Sequence, residues 1–144
     1  MIGVVVVTHG QLANELVNAA ETIVGDLPAV AAVSIGWHED VQDARDDIAG
    51  AIGRVQSGDG VLVLTDMFGG TPSNLGITFL EPDAVEVVTG VNLPMLIKAA
   101  TLRGPAGLTD VARTLREHGR NAIWVASDLL AGNADAAKAG EGEP

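Results

Sequence analysis

Two short apolar runs constrain this chain more than any other feature. Val4-Val5-Val6-Val7 leads directly into Thr8-His9-Gly10, and Val61-Leu62-Val63-Leu64 leads into Thr65-Asp66. Neither run alternates with polar residues, which is how a strand buried on both faces reads when helices cover the sheet above and below. The abrupt polar ending marks the carboxyl edge of such a sheet, where open α/β folds present their functional groups. One strand delivers an imidazole and the other a carboxylate.

The rest of the chain supplies the alternating pattern that these strands require. Leu12, Leu16, Ala19, Ala20 and Ile23 recur at helical spacing, and Gly25 ends that helix. A second strand is expected over Ala29–Ile35, and a second helix follows with Val41, Ala44, Ile48, Ile52 and Val55 inward. After the Val61–Thr65 strand, Pro72 suits the first turn of a short helix, where its missing N–H costs no intrahelical bond. A fourth strand, Ala84–Thr89, leads to a helix with Leu93, Leu96, Ile97 and Ala100 inward. Gly104-Pro105-Ala106-Gly107 breaks that helix, and Leu108, Val111 and Leu115 mark another, ending at His118-Gly119. Ala122–Ala126 reads as a fifth strand.

Strands alternating with helices predict an α/β, doubly wound and mainly parallel sheet with helices on both faces. Right-handed crossovers and a central first strand predict the order 2-1-3-4. The chain then reverses direction between strands one and three, and a ligand crevice opens at that switch point, between His9 and Asp66. A late strand after two consecutive helices has no edge reserved for it in this sheet. It is therefore expected to be exchanged between the subunits of a dimer, covering an open edge.

The 144 residues suit one domain, expected over 1–130, with an acidic, disordered tail over 131–144. There is no cysteine, which removes disulfides and thiolate chemistry. The net charge is −11 and no Lys or Arg precedes Arg45, so the chain lacks the basic footprint of a nucleic-acid binder. It shows neither a membrane-length apolar run nor a signal peptide, and a cytoplasmic protein is expected.

An imidazole beside a carboxylate is held in one tautomer, with the second nitrogen's lone pair free. Such a histidine can serve as a base, a metal ligand or a nucleophile. His38 and His118 share no ligand spacing with His9, so no metal is expected. Gly69-Gly70-Thr71-Pro72-Ser73 is not the strained serine turn of hydrolases. The surroundings suit a phosphoryl group instead. Gly10, Gly69, Gly70 and Thr71 lie where backbone N–H groups can meet an anion, and the hydroxyls of Thr8 and Thr71 are further donors. The phosphate-binding lysine motif of nucleotide sites is absent, and no cofactor is expected.

Thr8-His9-Gly10, Asp66-Met67-Phe68-Gly69-Gly70-Thr71-Pro72 and Gly90-Val91-Asn92-Leu93-Pro94-Met95-Leu96 resemble, in order, three signatures of the mannose-family enzyme IIA component. That family belongs to the bacterial phosphoenolpyruvate-dependent sugar phosphotransferase system (PTS). The resemblance spans roughly residues 1–127. It implies a phosphotransferase in which His9 takes a phosphoryl group from the histidine-containing phosphocarrier protein and passes it to a separate IIB component. Asp66 would be the orienting acid, and membrane contact would come only through the permease components. It also implies a homodimer whose C-terminal strand, here the segment holding Trp124, runs antiparallel on the partner's sheet. Gly36-Trp37-His38-Glu39 departs from the residues expected after strand two, which leaves partner recognition open there.

Other readings compete. The chain could be a phosphorylation-state sensor without sugar transport, or the phosphocarrier subunit serving dihydroxyacetone kinase, although the loop 68–72 argues against the latter. His9 could merely cap the first helix and Asp66 the third, while His38 reads as a solvated loop residue.

Overall fold

The computed structural model describes residues 1–103 and 106–132. Four strands form the sheet: β1 (Gly3–His9), β2 (Val30–Ile35), β3 (Val61–Thr65) and β4 (Val85–Thr89). All neighbours are parallel, and the order is β2-β1-β3-β4, as expected. The helices are α1 (Leu12–Val24), α2 (Val41–Val55), α3 (Thr71–Ile77), α4 (Leu93–Thr101), α5 (Leu108–Asn121) and α6 (Ala126–Leu130). None of the described helices is long and apolar enough to cross a membrane.

The two-residue period of the central strands divides the core. Val4, Val6, Leu62 and Leu64 point to a cluster shared with Ala13, Val17 and Ala20 of α1, Leu96 of α4 and Leu115 of α5. Val5, Val7, Val61 and Val63 point the other way, against Ala44, Ile48 and Ala51 of α2 and Leu75 of α3. With so few aromatic residues, the interior is filled by β-branched and leucine side chains that pack in few rotamers.

Register sets up the crevice. Val7 pairs with Thr65 at the end of β3, while β1 continues to His9, paired with Ile35 on its other side. The next residue, Asp66, therefore leaves the sheet beside the Thr8–His9 step. Helix starts are fixed by side chains: Asp40 Oδ1 accepts from the Gln42 and Asp43 amides at 2.8 and 3.3 Å. Asn92 Oδ1 accepts from Met95 N–H at 3.0 Å, and its Nδ2 donates to Gly119 O at 2.9 Å, tying α4 to the end of α5. Each such cap satisfies an amide that the helix itself leaves open.

Some sequence expectations are corrected. The buried stripe of α1 runs through Ala13, Val17 and Ala20, which leaves Leu12 and Ile23 exposed, and Val41 is exposed at the start of α2. The fifth strand is not formed within the chain. Helix α5 runs on to Asn121, residues 123–125 pair with no strand, and Ala126 opens α6. A strand exists only through its ladder, and no strand of the same subunit reaches this segment. Ile123 and Val125 consequently stand 75% and 63% exposed. Of the tail expected over 131–144, residues 133–144 lie outside the described residues, as do Gly104 and Pro105 of the predicted helix break.

Two glycines of ordinary φ report on this packing with opposite sign. A Cβ on Gly3 would lie 2.5 Å from Val55 O and 2.6 Å from its Cγ2, whereas one on Gly53 meets nothing within 4 Å. Gly3→Ala is expected to destabilise the fold by about 1–3 kcal/mol. Gly53→Ala, on the exposed side of α2, should stabilise it by about 0.5–1 kcal/mol. Urea denaturation of both variants checks the pair.

Candidate functional site

Odd-numbered residues of β1 face α2 and α3, so His9 turns to that side at the sheet's carboxyl edge, 43% exposed. Thr8 turns the other way and is fully buried. Its Oγ1 accepts from Ala13 N–H at 2.6 Å and donates to His9 O at 3.2 Å, joining strand and helix. The expectation that Thr8 offers its hydroxyl to an anion is therefore corrected: a buried hydroxyl is satisfied locally. Gly10 makes the turn out of β1 with φ of +56°, a conformation natural to glycine. Its N–H is already donated to Ile35 O at 2.9 Å.

Asp66 meets His9 twice through one oxygen. Its Oδ2 accepts from the ring Nδ1 at 2.8 Å and from the His9 N–H at 3.1 Å, while Oδ1 accepts from Met67 N–H at 3.0 Å. A carboxylate can only accept, so the proton resides on Nδ1 and the lone pair of Nε2 is free. Partial burial pushes the Asp66 carboxyl up, but the hydrogen bonds from the His9 ring and N–H, the electrostatic attraction of the imidazole and the Met67 amide outweigh it. The net result is a carboxyl held below its ordinary value of 3.8. Asp66 does not cap α3, whose N-cap is Gly70 with no side-chain bond.

Gly70 is required by proximity: a Cβ there would lie 2.6 Å from His9 Cε1 and 2.9 Å from Nε2. Gly69 has φ of +97° and donates its N–H to Ser73 Oγ at 2.9 Å. Ser73, fully buried, closes the bridge by donating to Gly70 O at 3.1 Å. The amides of Gly70 and Thr71 find no acceptor among the described residues, and Thr71 is exposed. The crevice therefore gathers His9, Asp66, Gly70 and Thr71 with open donors, while Gly10 and Gly69 shape it with their amides committed. Ser73 escaped the sequence reading. Its signal is a serine three residues after a glycine at a helix start, the spacing at which a hydroxyl reaches back to the i−3 carbonyl.

On the open side lies a cleft of about 350 Å³, lined among others by His9, Gly36, Trp37, Glu39, Val41 and Thr71. No lysine or arginine lines it. His38 is exposed and does not line it, and Asn92 serves as a helix cap. No group of three or more His, Asp or Glu among the described residues is placed to hold a metal ion.

Residues 3–115 match the family described as "PTS system fructose IIA component". A PTS fructose-specific EIIA component of Bacillus subtilis (strain 168) is 30% identical over 131 residues, covering 90% of each chain. A PTS mannose-specific EIIAB component of Escherichia coli (strain K12) is 29% identical over 103 residues. That match takes in 71% of this chain and 32% of the other, so the chain spans about a third of that relative. Among solved structures, a mannose/sorbose specific IIA subunit of the phosphotransferase system from Enterococcus faecalis is similar at a TM-score of 0.77 and 28% identity, covering 86% of this chain and 93% of that one. With this fold, the chain belongs to the mannose/fructose-type IIA family and is a phosphotransferase, a phosphocarrier component of a sugar phosphotransferase system.

Proposed function

We propose that His9 is the residue that carries the phosphoryl group, that Asp66 orients it, and that Gly70 and Thr71 hold the phosphoryl oxygens. The observation that carries this reading is the 2.8 Å bond from Nδ1 to Asp66 Oδ2, which leaves Nε2 as the nucleophile beside Gly70. The Nε2 lone pair attacks the phosphorus of a donor phosphohistidine. The Nε2–P bond forms as the donor's P–N bond breaks, and the donor ring keeps that electron pair. Positive charge developing on the His9 ring is balanced by Asp66, already ionised at neutral pH. The open amides of Gly70 and Thr71 and the Thr71 hydroxyl offer hydrogen bonds to the equatorial oxygens as charge spreads over them. A second transfer, to an acceptor on a IIB component, restores the free ring. The donor in this reading is the histidine-containing phosphocarrier protein. The chain works in the cytoplasm and meets the membrane only through the permease components.

We further propose a homodimer. Supporting it are an edge strand, β4, with no strand on its outer side beyond the Glu81–Val85 bridge, and residues 123–125, which have no partner strand in their own subunit and expose Ile123 and Val125. Each answers the other's need for a ladder.

Phosphorylation by phosphoenolpyruvate, enzyme I and the phosphocarrier protein should add one phosphate per chain, labile to acid and stable to alkali. His9→Ala should abolish it, and a label on His38 would overturn the assignment. Asp66→Asn should keep the fold by circular dichroism yet slow rapid-quench transfer by about 10²–10⁴, the usual cost of losing a positioned catalytic hydrogen bond. A wild-type rate would reduce Asp66 to a loop brace. Because the folded pKa of Asp66 lies below 3.8, its contribution to stability is full above that value and is lost as pH falls through the folded pKa. The stability gap between wild type and Asp66→Asn, read by urea denaturation, should therefore narrow on going from about pH 6 to about pH 3. Sedimentation should find a dimer at micromolar concentration, and chains ended at Ala122 should become monomeric or aggregate.

A further inference from the structure

The turn between β2 and α2 is built to present one side chain. Gly36 N–H donates to Glu39 Oε2 at 3.3 Å, and Glu39 N–H returns to Gly36 O at 3.3 Å. Asp40 caps the helix immediately after. At the tip of this closed turn Trp37 is 91% exposed, yet it borders the same cleft as His9. An indole that large is not left in water by a core-forming pattern, and the turn's own bonds hold it there.

Trp37 does not stand alone. Leu12 follows the end of β1, Val41 the end of β2, and Met67 and Phe68 the end of β3, and all four are exposed. These side chains form an apolar patch on the carboxyl edge around His9, the arrangement of a protein-binding surface. Its flank is acidic. Glu39, Asp40, Asp43, Asp46 and Asp47 cluster at the start of α2, and no Lys or Arg precedes Arg45, whose guanidinium reaches Thr78 Oγ1 at 3.4 Å. Partial burial, a hydrogen bond with Asp47 and the charges of Asp47 and Asp43 raise the Glu39 carboxyl, against the lowering effect of Gly36 N–H.

We infer that Trp37 is the anchor of a docking surface for the cationic face of the protein that phosphorylates this chain. The inference rests on the reading of His9 as the phosphoryl carrier. Electrostatics sets what the donor must bring. It arrives bearing a phosphoryl group of about −1.5 to −2 charge, and nothing lining the cleft is positive. A donor that surrounds its own phosphoryl group with positive charge offsets that repulsion, and the charge then also steers the encounter. The indole supplies the desolvated contact at the centre and the acidic start of α2 supplies the rim.

Steady-state transfer from the phosphorylated donor tests this. Trp37→Ala should raise KM about tenfold or more while leaving kcat within about twofold, and Trp37→Phe should recover most of the loss. The wild-type KM should climb as salt rises from about 0.05 to 0.3 M, and the double variant Asp43→Asn, Asp47→Asn should flatten that climb. Adding unphosphorylated donor should shift tryptophan emission to the blue in the wild type and in His9→Ala, but not in Trp37→Ala. The His9→Ala arm separates the two readings, since docking there persists without any phosphate acceptance. An unchanged KM in Trp37→Ala, a loss confined to kcat, or altered sedimentation of Trp37→Ala alone, which would assign the patch to self-association, each overturns the inference.

Discussion

A single carboxylate oxygen organises the crevice between β1 and β3. Asp66 Oδ2 accepts from both the ring and the backbone of His9, so the acid fixes the last residue of one strand against the first residue beyond its neighbour. Rotation of the ring would break the first bond, and slippage of β1 along β3 would break the second. Ring orientation and strand register are therefore held by one group, and the free nitrogen lies beside Gly70. The cost of bringing a carboxylate into this half-buried position is offset by three hydrogen bonds, which also keep it ionised at any physiological pH.

The apolar sheet makes that arrangement durable. Val4 to Val7 and Val61 to Leu64 are almost entirely out of water on both faces, so polar groups are confined to the strand ends. At the end of β1 the Thr8 hydroxyl is buried, and it serves the Ala13 amide and the His9 carbonyl. Ser73 plays the corresponding part in the facing loop, bridging Gly69 and Gly70. Each side of the crevice thus has an interior hydroxyl behind it, and the donors left over belong to Gly70 and Thr71.

What the sequence made legible was whatever depends on burial. Unalternated apolar runs located β1 and β3, and chain reversal between them located the crevice, so His9 and Asp66 could be paired before any coordinate was known. Helix faces were less legible. Leu12, Ile23 and Val41 keep helical spacing, but α1 seats its alanines, Ala13 and Ala20, against the sheet, because small side chains permit close approach and push leucine and isoleucine to the flank. Ala122–Ala126 has the composition of a strand, yet composition cannot supply a neighbour, and within one subunit the segment finds none. The hydroxyl of Thr8 and the amides of Gly10 and Gly69 read as free donors in one dimension, whereas three dimensions commit each of them to a partner.

The absence of a side chain at Gly70 has a consequence for traffic. His9 Nε2 lies 2.9 Å from where a Cβ at Gly70 would sit, with the loop on one flank and Asp66 holding the opposite nitrogen. The cleft beside Trp37 and Thr71 offers the approach to it. If His9 carries the phosphoryl group as proposed, donor and acceptor share this doorway and use it in turn. On that reading the chain is a shuttle whose throughput is set by how quickly each visitor leaves, and an excess of either one would block the other.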